Sequence, residues 1–128
     1  MFSFYKVIIL YNFFILLHRM KKIIAFKKYY LDFISNLTDY ERDKVKRALL
    51  LLESKDRIPS HYIRYLRDEI FEYRISSENK EFRLFFIFDE ENLVILLNCY
   101  AKKTKKTPNK EIEKAIKLKK EYKNGKQQ

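Results

Sequence analysis

Arg74 and Arg83 are the residues of this chain best placed for chemistry, since they sit on two alternating stretches joined by a turn centred between Glu78 and Asn79. That spacing puts the two guanidiniums directly opposite each other across an antiparallel ladder. Like charges so placed repel, and the pairing is tolerable only where an anion or an acidic neighbour such as Glu72 relieves it. With the next hairpin turning at Glu90-Glu91, Asn98 falls opposite Arg83, and Tyr100 and Lys102 share that face by alternation. Guanidinium forks match phosphate oxygens and a tyrosine ring offers a platform for a base. A face bearing Arg74, Arg83, Asn98, Tyr100 and Lys102 is therefore read as a cradle for phosphate and a stacked base.

The charge distribution points the same way. The chain carries +11, and residues 101–128, with eleven lysines against three glutamates, hold +8 of it. A polyanionic partner is the simplest cause, with a merely solubilising surface as the competing reading. Position favours the former, because the densest run, Lys102-Lys103-Thr104-Lys105-Lys106-Thr107, directly follows an apolar strand instead of trailing from a free end.

Other chemistries are poorly provided for. One glycine in 128 residues leaves no Gly-rich phosphate loop. The two histidines, His18 and His61, stand far apart and the one cysteine is Cys99, so no metal-ligand spacing occurs, and a metal-free, cofactor-free site in a reducing compartment is expected. Cys99 lies in an apolar run and reads as a small hydrophobe. His61, just after Pro59, reads as a loop surface residue in preference to a base.

The elements that must position this face follow from periodicity. A short strand at residues 23–26 leads to Tyr30, Phe33, Ile34 and Leu37 at helical spacing. Thr38 with Glu41 forms a capping-box pair, and Val45, Ala48, Leu49 and Leu52 give the next helix one buried stripe, ending near Ser54. After Pro59 the period becomes two, with Phe71, Tyr73 and Ile75 on one side and Ile70, Glu72 and Arg74 on the other. Strands follow at residues 82–88 and 93–99. The latter is apolar on both faces, as for a central strand covered by helices on one side. Thr107, with Pro108 in the first helical position, starts a last helix that Gly125 closes. The expected fold is α+β: an N-terminal strand and two helices packed on an antiparallel sheet, with a C-terminal helix.

Residues 70–75, 82–86, 89–98 and the run Lys102-Lys103-Thr104-Lys105-Lys106-Thr107-Pro108 with Glu111-Ile112 resemble, in order, phage-derived HigB toxins of the RelE/ParE superfamily, over about residues 20–122. The Lys-Lys-Thr-x-Lys-Thr-Pro element is the most specific part. The resemblance implies a RelE-like fold and a cytoplasmic type II toxin that cleaves messenger RNA, usually on the ribosome, and is neutralised by a helix-turn-helix antitoxin of HigA type. Cleavage without a metal uses the ribose 2′-OH as nucleophile. Arg74 and Arg83 would then stabilise the charged phosphorane, and Lys102 or Lys103 would serve as base if neighbouring cations depress its pKa. Asn98, Tyr100, Lys105 and Lys106 would hold RNA. A ParE-like inhibitor that binds without cutting is the alternative. The chain departs from the family pattern at two glycines, replaced by Glu69 or Ile70 and by Cys99, and Asn109 stands about where RelE carries a tyrosine that moves a proton.

The first nineteen residues stand apart. Residues 7–17 are apolar except for Tyr11 and Asn12, too short for a comfortable membrane span of about 20 residues and lacking a cleavage site. Met20 followed by Lys-Lys-Ile-Ile-Ala-Phe reads as the natural start of the first strand. Residues 1–19 are accordingly expected to be an extension from a misassigned start in preference to an anchor, 20–123 the toxin domain and 124–128 a tail.

Overall fold

A computed structural model describes residues 6–8, 10, 21–54, 62–90, 93–102 and 107–126. Its elements are β1 (Lys22–Ala25), α1 (Tyr29–Ser35), α2 (Asp39–Ser54), β2 (Ile63–Arg67), β3 (Ile70–Ser77), β4 (Lys80–Phe88), β5 (Leu93–Lys102) and α3 (Asn109–Lys126). The strands form one sheet in the order β1-β5-β4-β3-β2. The fold is α+β and RelE-like, as expected, but the sheet is mixed: β1 runs parallel to β5, pairing Ile23 with Val94 and Ile24 with Ile95, while the other neighbours are antiparallel.

Alternation along the strands makes two apolar faces, and helices cover each of them. Against one face, α2 buries Val45 and Leu52 on Phe82, Leu84, Phe86 and Leu96, with the partly buried Phe33 and Ile34 of α1 packed beside them. Against the other, Ala115 and Leu118 of α3 pack on Ile70, Phe85, Ile95 and Leu97. The expectation of helices on one side of residues 93–99 is thus corrected. That strand is apolar on both faces because both are covered. The strand β2 had no clear signal of its own, since Ile63 and Leu66 are its only partly buried apolar residues and it lies at the sheet edge.

The helix ends obey local chemistry. At the start of α2, the Thr38 N–H donates to Glu41 Oε1 (2.9 Å) and the Glu41 N–H donates to Thr38 Oγ1 (3.1 Å), the reciprocal pair read from the sequence. The last helix differs from expectation at both ends. It begins at Asn109, with the Pro108 carbonyl accepting from Glu111 N–H, so Pro108 is the residue before the first turn and not within it. Gly125 lies inside α3, which runs on to Lys126 in the stretch read as a tail. The Thr107 hydroxyl is spent elsewhere, as described below.

With one glycine in the chain, the left-handed turn positions fall on charged residues: Lys27, Asp68, Glu69, Glu78 and Glu90 take φ of 59°, 52°, 67°, 51° and 66°. Of Glu69 and Ile70, the two candidates for the replaced glycine, Glu69 occupies the left-handed conformation that glycine adopts most readily. Apart from residues 6–8 and 10, the N-terminal extension lies outside the described residues, as does His61. Among the described residues no helix is long and apolar enough to cross a membrane.

The Glu41 carboxyl is held below its ordinary range, first by the Thr38 backbone N–H and then by Lys80, whose Nζ lies 3.1 Å from Oε2. A carboxyl lowered in the folded state stabilises above its unfolded pKa and loses that contribution as pH falls through its folded value. Thr38→Ala should cost about 1 kcal/mol in urea denaturation at neutral pH. The difference from wild type should shrink in acid, as Glu41 loses the charge that strengthens the other half of the box.

Candidate nucleic-acid interface

The turn at Glu78-Asn79 pairs Ser77 with Lys80 and brings Arg74 directly opposite Arg83, as its position in the sequence requires. The relief for the two cations is Glu72. Its side chain, wholly buried, accepts at Oε1 from Arg83 Nη1 (3.0 Å) and Arg74 Nε (3.1 Å), and at Oε2 from the Thr107 hydroxyl (2.6 Å). Period two makes this possible, since residues 72 and 74 project from the same face of β3 and Arg83 lies across the ladder from Arg74. The second Nη of Arg83 pairs with Glu81 at 2.9 Å.

The other hairpin departs from the expected register. Phe88 pairs with Val94 and the Asp89 N–H donates to the Leu93 carbonyl, a pairing shifted by one residue from the expected one, and a bulge between Leu84 and Phe86 adds one more step. Arg83 therefore lies opposite Tyr100 instead of Asn98, and Glu81 opposite Lys102. Two single-residue shifts leave the parity unchanged, which is why Tyr100 and Lys102 stay on the arginine face although the pairing is displaced by two.

Each expected site residue can now be placed. Arg83 is 2% exposed, whereas the Arg74 side chain is 30% exposed and bound through Nε alone, leaving its Nη fork toward the surface. Tyr100 stacks on Phe85 with ring centroids 5.7 Å apart, so one of its faces is occupied, and burial pushes its phenol above the ordinary value. Asn98 is buried, donating Nδ2 to the carbonyl and the carboxylate of Glu111 and so tying α3 to the sheet. Lys102 is held below its ordinary pKa, first by burial and then by the Arg83 charge. Lys103, Lys105 and Lys106 lie outside the described residues. Cys99 packs against the helix-α2 core, and burial pushes its thiol up to about 12, far from a nucleophile. Asn109 binds Arg67 and Glu113 at the surface.

Among the described residues three buried side-chain polar atoms lack a hydrogen-bond partner, and they are Arg83 Nε, Asn98 Oδ1 and Tyr100 Oη. Unpaired buried polar atoms are rare in folded proteins, and all three lie on the α3 side of the sheet, around Arg83. Sequence reasoning did not assign site roles to Thr107, Glu81 or Glu111. Thr107 was absorbed by its resemblance to a helix cap, while no sequence signal distinguishes the two glutamates from surface charge.

Removing one member of a buried ion cluster leaves the others uncompensated. Arg83→Ala should accordingly lower the unfolding free energy by about 3–5 kcal/mol in chemical denaturation. Lys102 should titrate below 10.5 in a side-chain NMR titration. A normal value would mean that neither burial nor Arg83 acts on it.

The family model described as Phage derived protein Gp49-like (DUF891) matches residues 32–120, a span from α1 into α3 that contains every residue of this cluster. No curated protein matches the chain.

Proposed function

The chain belongs to the Gp49-like family of phage-derived proteins, and on that basis we propose that it is the toxin of a type II toxin–antitoxin pair, an endoribonuclease that cuts messenger RNA on the ribosome. The observation that carries this reading is the Arg74–Arg83 pair, two opposed guanidiniums on one strand ladder with Lys102 beside them. Glu72 binds both guanidiniums at one oxygen, and the positive charge gathered around it is suited to a phosphodiester in its transition state. Arg74, with its outward fork, receives the phosphate; Arg83 supports it from behind with positive charge. Lys102, depressed by burial and by Arg83, is the group best prepared to take the 2′-OH proton, since a lysine shifted toward neutrality carries more of its basic form. The basic surface suits HigB-like binding of RNA in the cytoplasm, and an antitoxin of HigA type would cover it, because an open cationic face would otherwise take up cellular RNA indiscriminately.

A ParE-like inhibitor that binds without cutting is the second reading. What favours it is the burial of Arg83, whose two Nη groups are already satisfied by Glu72 and Glu81.

Arg74→Ala separates the two. Its side chain is partly exposed and makes one charged contact, so little stability is lost, whereas removal of one transition-state donor costs on the order of 10²- to 10³-fold in rate. Primer extension on messenger RNA after induction, with thermal melts alongside, should give cleavage by wild type and almost none by the variant. Growth arrest by wild type with intact transcripts would leave the non-cleaving inhibitor standing. In the same system RNA binding by the wild type should be salt-sensitive and disappear in the antitoxin complex.

A further inference from the structure

One carboxylate serves three partners in this protein. Glu72 is wholly buried, yet receives two guanidiniums at Oε1 and one hydroxyl at Oε2. Each partner belongs to a different part of the molecule: Arg74 to β3, Arg83 to β4, and Thr107 to the residues that lead into α3. We propose that Glu72 is a positioning residue, which sets the directions of both arginine forks and, through the Thr107 hydroxyl, ties the start of α3 to them.

The geometry argues for orientation over simple neutralisation. Arg74 is bound through Nε, the inner nitrogen, which turns its two Nη groups away from the carboxylate. Arg83 is bound through Nη1, with Glu81 on its other Nη, so the two carboxylates clamp the outer end of the fork and the inner Nε is buried without a partner. The two arginines thus turn different edges to the one carboxylate. On the same face Lys102 lies opposite Glu81 and beside the Arg83 charge, and Thr107 rests on Glu72. A threonine at residue 107 would ordinarily spend its hydroxyl on the cap of the helix that follows. Here the Pro108 carbonyl starts α3 and the hydroxyl goes to Glu72 instead.

The inference rests on the nuclease reading for its consequence but not for its geometry, and the test separates the two. Glu72→Gln, Thr107→Val and Thr107→Ser are compared with wild type in single-turnover cleavage of a messenger RNA, with thermal melts and with NMR exchange of the Arg74 and Arg83 guanidinium protons. Thr107→Val keeps the shape and loses the hydroxyl, whereas Thr107→Ser keeps it. Thr107→Val should speed guanidinium exchange and lower the cleavage rate on the order of 10- to 100-fold at an unchanged half-saturating RNA concentration, with Thr107→Ser close to wild type. A neutralising carboxylate predicts the reverse pattern for Glu72→Gln: one more net positive charge, tighter RNA binding and an undiminished rate. Wild-type exchange rates in Thr107→Val, or no rescue by serine, would overturn the proposal even if Glu72→Gln fails to fold. A wild type that orders its arginines but leaves RNA intact would sink the nuclease reading and leave the positioning role in place.

Discussion

The Glu72 carboxylate is the constraint around which this protein is arranged. Arg74 and Arg83 face each other because a two-residue turn and the pleat leave no alternative, and without a buried anion the β3–β4 ladder would carry two opposed cations near its middle. Placing Glu72 two residues before Arg74 puts that anion on the same face at the cost of burying a charge completely. Such a cluster contributes little net stability, since desolvation consumes most of the Coulombic gain. Its value lies in specificity: only one arrangement of β3, β4 and residue 107 satisfies the carboxylate.

The two apolar layers give that arrangement a rigid frame. Phe82, Leu84 and Phe86 project from β4 into the core under α1 and α2, while Arg83 and Phe85 project to the α3 side. Turning β4 over would carry the guanidinium into the apolar core under α2 and away from Glu72, so the hydrophobic pattern that builds the core also holds Arg83 in place. The last helix completes the frame from the other side. Ala115 and Leu118 pack on the sheet, Glu111 holds Asn98, and the Tyr122 hydroxyl donates to Asp89 at 2.6 Å beside the β4–β5 turn. These contacts explain why Asn98, polar and central in an apolar strand, is a link between elements.

The bulge at Leu84–Phe86 has a similar double effect. It brings Tyr100 beside Arg83 and, by turning two successive residues of β5 toward the α3 side, admits both Leu97 and Asn98 to that layer. Stacking of Tyr100 on Phe85 then fixes the ring, so the hydroxyl is held in place near the charged cluster instead of sweeping through solvent.

Much of this was legible in the residues themselves. The opposition of Arg74 and Arg83 followed from a turn and a period of two, the role of Glu72 as relief from its place on the same face, and the start of α2 from Thr38 and Glu41, because each depends on residues close in sequence or on pairing across one short turn. The strand β2 was obscure because an exposed edge strand needs few apolar residues. What only the tertiary structure decided depends on contacts between distant segments. The shifted pairing at the turn and the bulge moved Arg83 from Asn98 to Tyr100, the parallel pairing of β1 beside β5 joined residues some seventy positions apart, and packing of α3 buried Asn98. Above all, the Thr107 hydroxyl was claimed by a carboxylate 35 residues earlier. No local rule could select that partner over a helix cap, because the competition is settled by which acceptor the folded sheet brings within reach.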